Sequence, residues 1–147
     1  MKPHQIAIYF RHNGLYVQPS LPSSKGMRAL DCVESVNDGW AGLPAALARA
    51  EAFAVAEAAK RSQARRFAGG TTLPDAAGCR TFGEFADGTT ACILIRVPDY
   101  VLVMRSVGDA ENGVIYGTPR QDELPPDTPL DELARIAQSA IEGRDGW

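Results

Sequence analysis

The sequence predicts an α+β fold: a mostly antiparallel sheet of five to six strands packed on one long alanine-rich helix, with a second helix at the C-terminus. Three observations predict it. Short apolar runs are joined by compact turn signals at His12-Asn13-Gly14, Asp87-Gly88 and Pro98-Asp99. One central stretch, Leu43–Arg66, has the composition and spacing of a helix. Hairpin-linked strands with helices set apart from them point to α+β rather than to a parallel, alternating arrangement.

The elements follow in order. Gln5–Phe10 and Leu15–Gln18 read as strands, with Asn13-Gly14 supplying a turn that tolerates positive φ. A Pro/Ser/Gly loop runs from Pro19 to Gly26. Met27–Val36 is ambiguous and is read as a strand, although Met27, Leu30 and Val33 also fit helical spacing. Asn37–Gly42 is a turn containing Trp40. In the long helix, Pro44 suits the first turn, and the sixteen residues that follow it contain nine alanines. Leu43, Leu47, Ala50, Ala54 and Ala58 form its apolar stripe, with Phe53 at the edge. Glu57 and Arg61 form an i,i+4 pair; Lys60, Arg61, Arg65 and Arg66 complement the helix dipole, and Gly69-Gly70 stops the helix. Thr71–Cys79 is a loop, and Arg80–Ala86, Thr89–Val97 and Tyr100–Val107 are strands. Gly108–Gly113 turns into a short strand, Val114–Gly117. Thr118–Pro129 is an acidic, proline-rich connector, and Asp131–Glu142 is the last helix, with Thr128 as its cap and Pro129 at its first position.

A chain of 147 residues fits one domain, 1–147, large enough to bury a substantial core. No apolar run reaches the roughly 20 residues of a membrane span, and no secretory h-region is visible, so a cytoplasmic location without membrane contact is expected. Cys32, Cys79 and Cys92 form no CxxC pair, which argues against a disulfide framework and a zinc site. Neither a metal nor another cofactor is expected.

If Pro98-Asp99 is a two-residue turn, register follows. Val97, Ile95 and Ile93 oppose Tyr100, Leu102 and Met104 on one face, which is almost wholly apolar and is expected to lie under the long helix. The other face pairs Arg96 with Val101, Leu94 with Val103 and Cys92 with Arg105, and Phe85 extends it. That second face is covered by the C-terminal helix, or is an exposed protein-binding patch, or is a homodimer contact.

Catalytic signatures are missing: there is no HExxH, EF-hand loop or GxSxG elbow. Gly69-Gly70-Thr71-Thr72 follows a helix rather than preceding one, unlike a phosphate-binding loop. His12, or Cys79 with Glu84, are the residues a small enzyme would use; His12 is otherwise a solvated turn residue. Lys60–Arg66 lacks aromatic partners apart from Phe67, and a sequence pI near 5.3 points away from nucleic acid.

Charge is uneven. Residues 1–107 carry 12 Lys+Arg against 9 Asp+Glu, whereas residues 108–147 carry 3 against 9. The second group includes Asp109, Glu111, Asp122, Glu123, Asp127, Asp131 and Glu132. These carboxylates are either a solvated loop and helix start, or a docking surface for a basic protein. With that acidic set, the chain resembles the immunity proteins of bacterial polymorphic-toxin and contact-dependent growth inhibition systems. The resemblance implies a single-domain protein, without enzyme activity, that binds one cognate toxin, often a basic nuclease. Carboxylates would compete for the cations that a nuclease uses to hold phosphate. Tyr116 and Phe85 would anchor the contact, with Arg96 and Arg105 on the same partner-binding surface. A small enzyme and a homo-oligomeric accessory protein are the alternatives.

Overall fold

The computed structural model describes residues 2–60 and 71–147. Arg61, Arg65, Arg66 and Gly69-Gly70, with the charge pair, stop and loop read from them, lie outside the described residues. The α+β fold is what the structure shows. One seven-stranded antiparallel sheet runs in the order β3-β2-β1-β5-β6-β7, with β4 also paired to β2. The strands are β1 (His4–Arg11), β2 (Gly14–Ser23), β3 (Gly26–Ala29), β4 (Glu34–Val36), β5 (Thr90–Val97), β6 (Tyr100–Asp109) and β7 (Val114–Leu124). The helices are α1 (Leu43–Lys60), α2 (Leu73–Ala77), α3 (Phe82–Ala86) and α4 (Leu130–Glu142), with a single 3-10 turn at Gly39–Gly42.

Local chemistry explains most of these elements. His12 and Asn13 adopt φ of 46° and 63°, the left-handed turn that joins β1 to β2 with matching twist. Strand β2 runs on through Pro19, read as the start of a loop, because Pro19 sits between the stretches paired with β4 and with β3. Its missing N–H therefore breaks no ladder there, and its carbonyl takes the Leu30 N–H at 2.9 Å. The ambiguous stretch Met27–Val36 is extended at both ends and interrupted at Leu30–Val33, giving β3 and β4.

Several readings need correction. Arg80–Ala86 is not a strand. Thr81 accepts the Glu84 N–H and opens the one-turn helix α3; Thr72 does the same for α2 inside the stretch read as loop. Thr118–Pro129 is not all connector, since β7 continues to Leu124 past a bulge. Helix α4 starts at Leu130, and Pro129 holds its cap position; Thr128 Oγ1 donates instead to the Pro125 carbonyl at 2.7 Å.

The Pro98-Asp99 hairpin sets the expected register, Val97 opposite Tyr100 through Ile93 opposite Met104. The helices, however, take the opposite face from the one expected. Cys92, Leu94, Val101 and Val103 are buried beneath α1 and α4, with Ile6, Ile8, Leu15 and Val17 of β1 and β2. The reason lies beyond the hairpin. Across β1 and β2 that face stays apolar apart from His4, whereas the Ile93/Ile95 face continues into Gln5, Gln18 and Ser20. A helix layer spanning four strands follows the face that is apolar over all four. Small residues Ala46, Ala50, Ala137 and Ala140 let the helices lie close.

A second, smaller core lies on the other face at one end of the sheet. Phe85 of α3 is fully buried, edge-on to Tyr9 and Tyr16 at ring-centre distances of 5.5 and 5.9 Å. Here α3 approaches β6 so closely that a Cβ on Gly108 would overlap the Ala86 carbonyl oxygen. Gly108→Ala is therefore expected to lower unfolding free energy by about 3 kcal/mol, measured by urea denaturation. A loss below about 1 kcal/mol would contradict this packing.

Candidate functional site

The arginines expected on a surface patch are absorbed by the helix layer. Arg96 on β5 lies opposite His4 on β1, both beneath α1. Glu51 of α1 reaches down between them: one carboxylate oxygen is 2.5 Å from Arg96 Nε and 3.0 Å from His4 Nε2. Arg96 Nη1 also donates to the Pro126 carbonyl at 2.8 Å, tying down the segment that leads into α4. Arg105 Nε donates to the Ala140 carbonyl in the last turn of α4 at 2.9 Å, where a cation complements the helix end. The second face is thus the one covered by the C-terminal helix. Arg96 and Arg105 fasten the helices there, whereas Phe85 packs in the smaller core on the other face and has no exposed surface to offer a partner.

The acidic residues divide into two groups. Asp122 is held by Arg120 through two bonds of 2.9 and 2.8 Å, and the guanidinium keeps its carboxyl below the usual range. Arg120 also donates to the Asp145 carbonyl and lies over the Trp147 ring at 3.9 Å. Glu132 is likewise paired with Arg135. Asp109 is occupied differently: its oxygens accept the backbone N–H of Glu111 and Asn112 and the Asn112 side-chain amide. Those bonds lower its pKa without neutralising its charge. Glu111, Glu123 and Asp127 are exposed, and no cation of the described residues pairs with them.

Strand alternation separates Asp122 from Glu123. Asp122 pairs with Val103 on the helix side, whereas Glu123 pairs with Leu102 on the opposite face. That face carries Ile93, Ile95, Val97, Tyr100, Leu102 and Met104, all only partly buried, and among the described residues no helix lies over them. On the edge strand, Val114 and Tyr116 are 46% and 52% exposed, but they pair with Asp109 and Val107 and so project to the helix side of the sheet. The side chains of the open face form an apolar surface bordered by Glu123 and Gln121. The register predicted from sequence named these six side chains; that they would stay open depended on the β1–β5 pairing.

Groups suited to catalysis are not gathered. The ring of His12 has the guanidinium of Arg11 as its hydrogen-bond partner at 3.3 Å, rather than a carboxylate or thiol. Glu84 accepts the Arg80 N–H, and Cys79 is buried with its thiol near the Ala77 carbonyl. Cys32 lines a hollow of about 150 Å³ with Glu34 and Arg49, but burial and the charges of Asp31 and Glu57 push its thiol up to about 12. A protonated thiol is a poor nucleophile. Burial pushes Cys92 up to about 12 as well. Among the described residues no cluster of His, Cys, Asp or Glu is arranged to hold a metal ion, and no helix is long and apolar enough to cross a membrane.

The Glu51 fastening has a pH signature. The hydrogen bond from His4, reinforced by the charge of Arg96, outweighs burial and holds the Glu51 carboxyl below the usual carboxylate range. A lowered carboxyl pKa contributes stability above its unfolded value and loses it as pH falls through the folded value. Glu51→Gln should cost roughly 1–3 kcal/mol at neutral pH, with the gap to the parent shrinking below about pH 5. Denaturation at a series of pH values checks this; a gap constant from about pH 7 to about pH 3 would refute it.

No protein-family model matches the chain, and a search of curated proteins finds no match.

Proposed function

We propose that this chain is a non-catalytic, cytoplasmic binding protein that neutralises a cognate protein toxin, a basic nuclease, by direct complex formation. The observation that carries the reading is the pairing of unneutralised carboxylates with an open apolar surface. Glu111, Glu123 and Asp127 have no cation opposite them among the described residues. Glu123 borders the face formed by Ile93, Ile95, Leu102 and Met104. An apolar centre with a charged rim is the anatomy of a protein interface. In the complex, the centre would supply affinity and the rim would steer a basic partner and occupy its phosphate-holding cations. Asp122, tied to Arg120, the buried Phe85 and Arg96, and Arg105, tied to the Ala140 carbonyl, are left out of this surface.

The same apolar face would also suit a second copy of the chain, so sizing of the free protein accompanies the test. Association with a purified basic nuclease toxin domain is followed by stopped-flow. The proposal expects a one-to-one complex whose association rate falls by at least about tenfold between low and high salt. Combining Glu111→Lys, Glu123→Lys and Asp127→Lys should cut the low-salt rate by at least about tenfold without lowering the melting temperature. Unchanged rates would remove the acidic surface from the mechanism. A stable homodimer that buries the face would favour the accessory-protein reading.

A further inference from the structure

The sheet has two unlike edges. One is made of β3 and β4, only four and three residues long. The other is β7, eleven residues long, and it is divided in two. Met104 pairs with Gln121 but Ser106 pairs with Gly117, so Thr118, Pro119 and Arg120 bulge opposite Arg105. Pro119 has no N–H to offer, and Arg120 is occupied by Asp122, the Asp145 carbonyl and Trp147. Bulges and prolines are devices that blunt an edge against pairing. The half before the bulge, Val114–Gly117, lacks them. It pairs in regular register with Asp109–Ser106, and among the described residues its outer side has no strand partner.

We infer that Val114–Gly117 accepts an extended basic segment of the partner as an added strand. Exposed Val114 and Tyr116 offer contact to alternate apolar side chains of such a strand. Asp109 and Glu111, in the turn that enters β7, carry negative charge with no cation opposite among the described residues. They fit Lys or Arg at the intervening positions. The identity of the partner as a toxin rests on the reading above; the strand addition itself does not.

The probe is a short capped peptide alternating Val and Lys, titrated into the full chain and followed by amide hydrogen exchange. At saturation, exchange of the Val114–Gly117 amides that point away from β6 should slow by at least about tenfold, with no slowing at Ile93–Ile95. A control with proline at alternate positions, which cannot complete a ladder, should bind at least about tenfold more weakly. Combining Val114→Lys with Tyr116→Lys, both at exposed positions, should weaken binding by at least about tenfold. The inference is overturned by equal affinity for the proline control, by slowing located elsewhere, or by no binding. Slowing that appears without peptide as protein concentration rises would assign the edge to a second copy and equally overturn it. A toxin complex that leaves β7 exchange unchanged would sink strand addition alone. A β7 footprint with peptide, but no toxin neutralised, would sink the toxin reading alone.

Discussion

The contact on which the arrangement depends is the Glu51 carboxylate between Arg96 and His4. A buried arginine on a helix-covered sheet face is tolerable only with a counter-charge and acceptors in place, because an unpaired buried charge costs several kcal/mol. Glu51 supplies the charge and the Pro126 carbonyl supplies a further acceptor. With Arg96 satisfied, α1 and α4 can lie on the face that is apolar across β1, β2, β5 and β6. The other face is then left open beside β7, and the candidate surface exists as a consequence.

The parts of the fold readable in sequence are those fixed by neighbours in the chain. The β5–β6 register follows from a two-residue turn, and α1 follows from its alanines and spacing. Which face the helices cover is not local. It depends on β1 pairing with β5 across more than eighty residues, and on Gln5, Gln18 and Ser20 lying behind Ile95 and Ile93. The hairpin taken alone points the wrong way, because its bare face is locally the more apolar one. The short helices α2 and α3 did leave a signal. Thr72 with Asp75 and Thr81 with Glu84 have the spacing of an N-terminal cap with an acid three residues on, which is stronger than the strand-like alternation of Arg80–Ala86.

The candidate site was legible in its residue types more than in their placement. Tyr116, Glu111, Glu123 and Asp127 are exposed as a docking surface requires. Asp122 is not available, and the cause is simple: in a strand, residues two apart share a face, so Arg120 and Asp122 meet. Reading Thr118–Pro129 as a connector hid that pair, since Pro119 disguises a strand that continues past a bulge. Phe85 followed its segment from strand to helix and became core. Arg96 and Arg105, typical interface residues by type, are consumed by α1 and α4 because carboxylate and carbonyl acceptors stand directly over them.

The most direct test of which face is open compares the reactivity of two neighbouring cysteines. Ile95→Cys and Leu94→Cys place thiols on opposite faces of β5, each made in a chain whose Cys32, Cys79 and Cys92 are replaced by serine or alanine and whose folding is verified. Under native conditions the thiol at 95 should react with a maleimide at least about a hundredfold faster than the thiol at 94, which should react only as the chain opens. Equal rates, or faster reaction at 94, would show that the helix layer lies on the other side of the sheet.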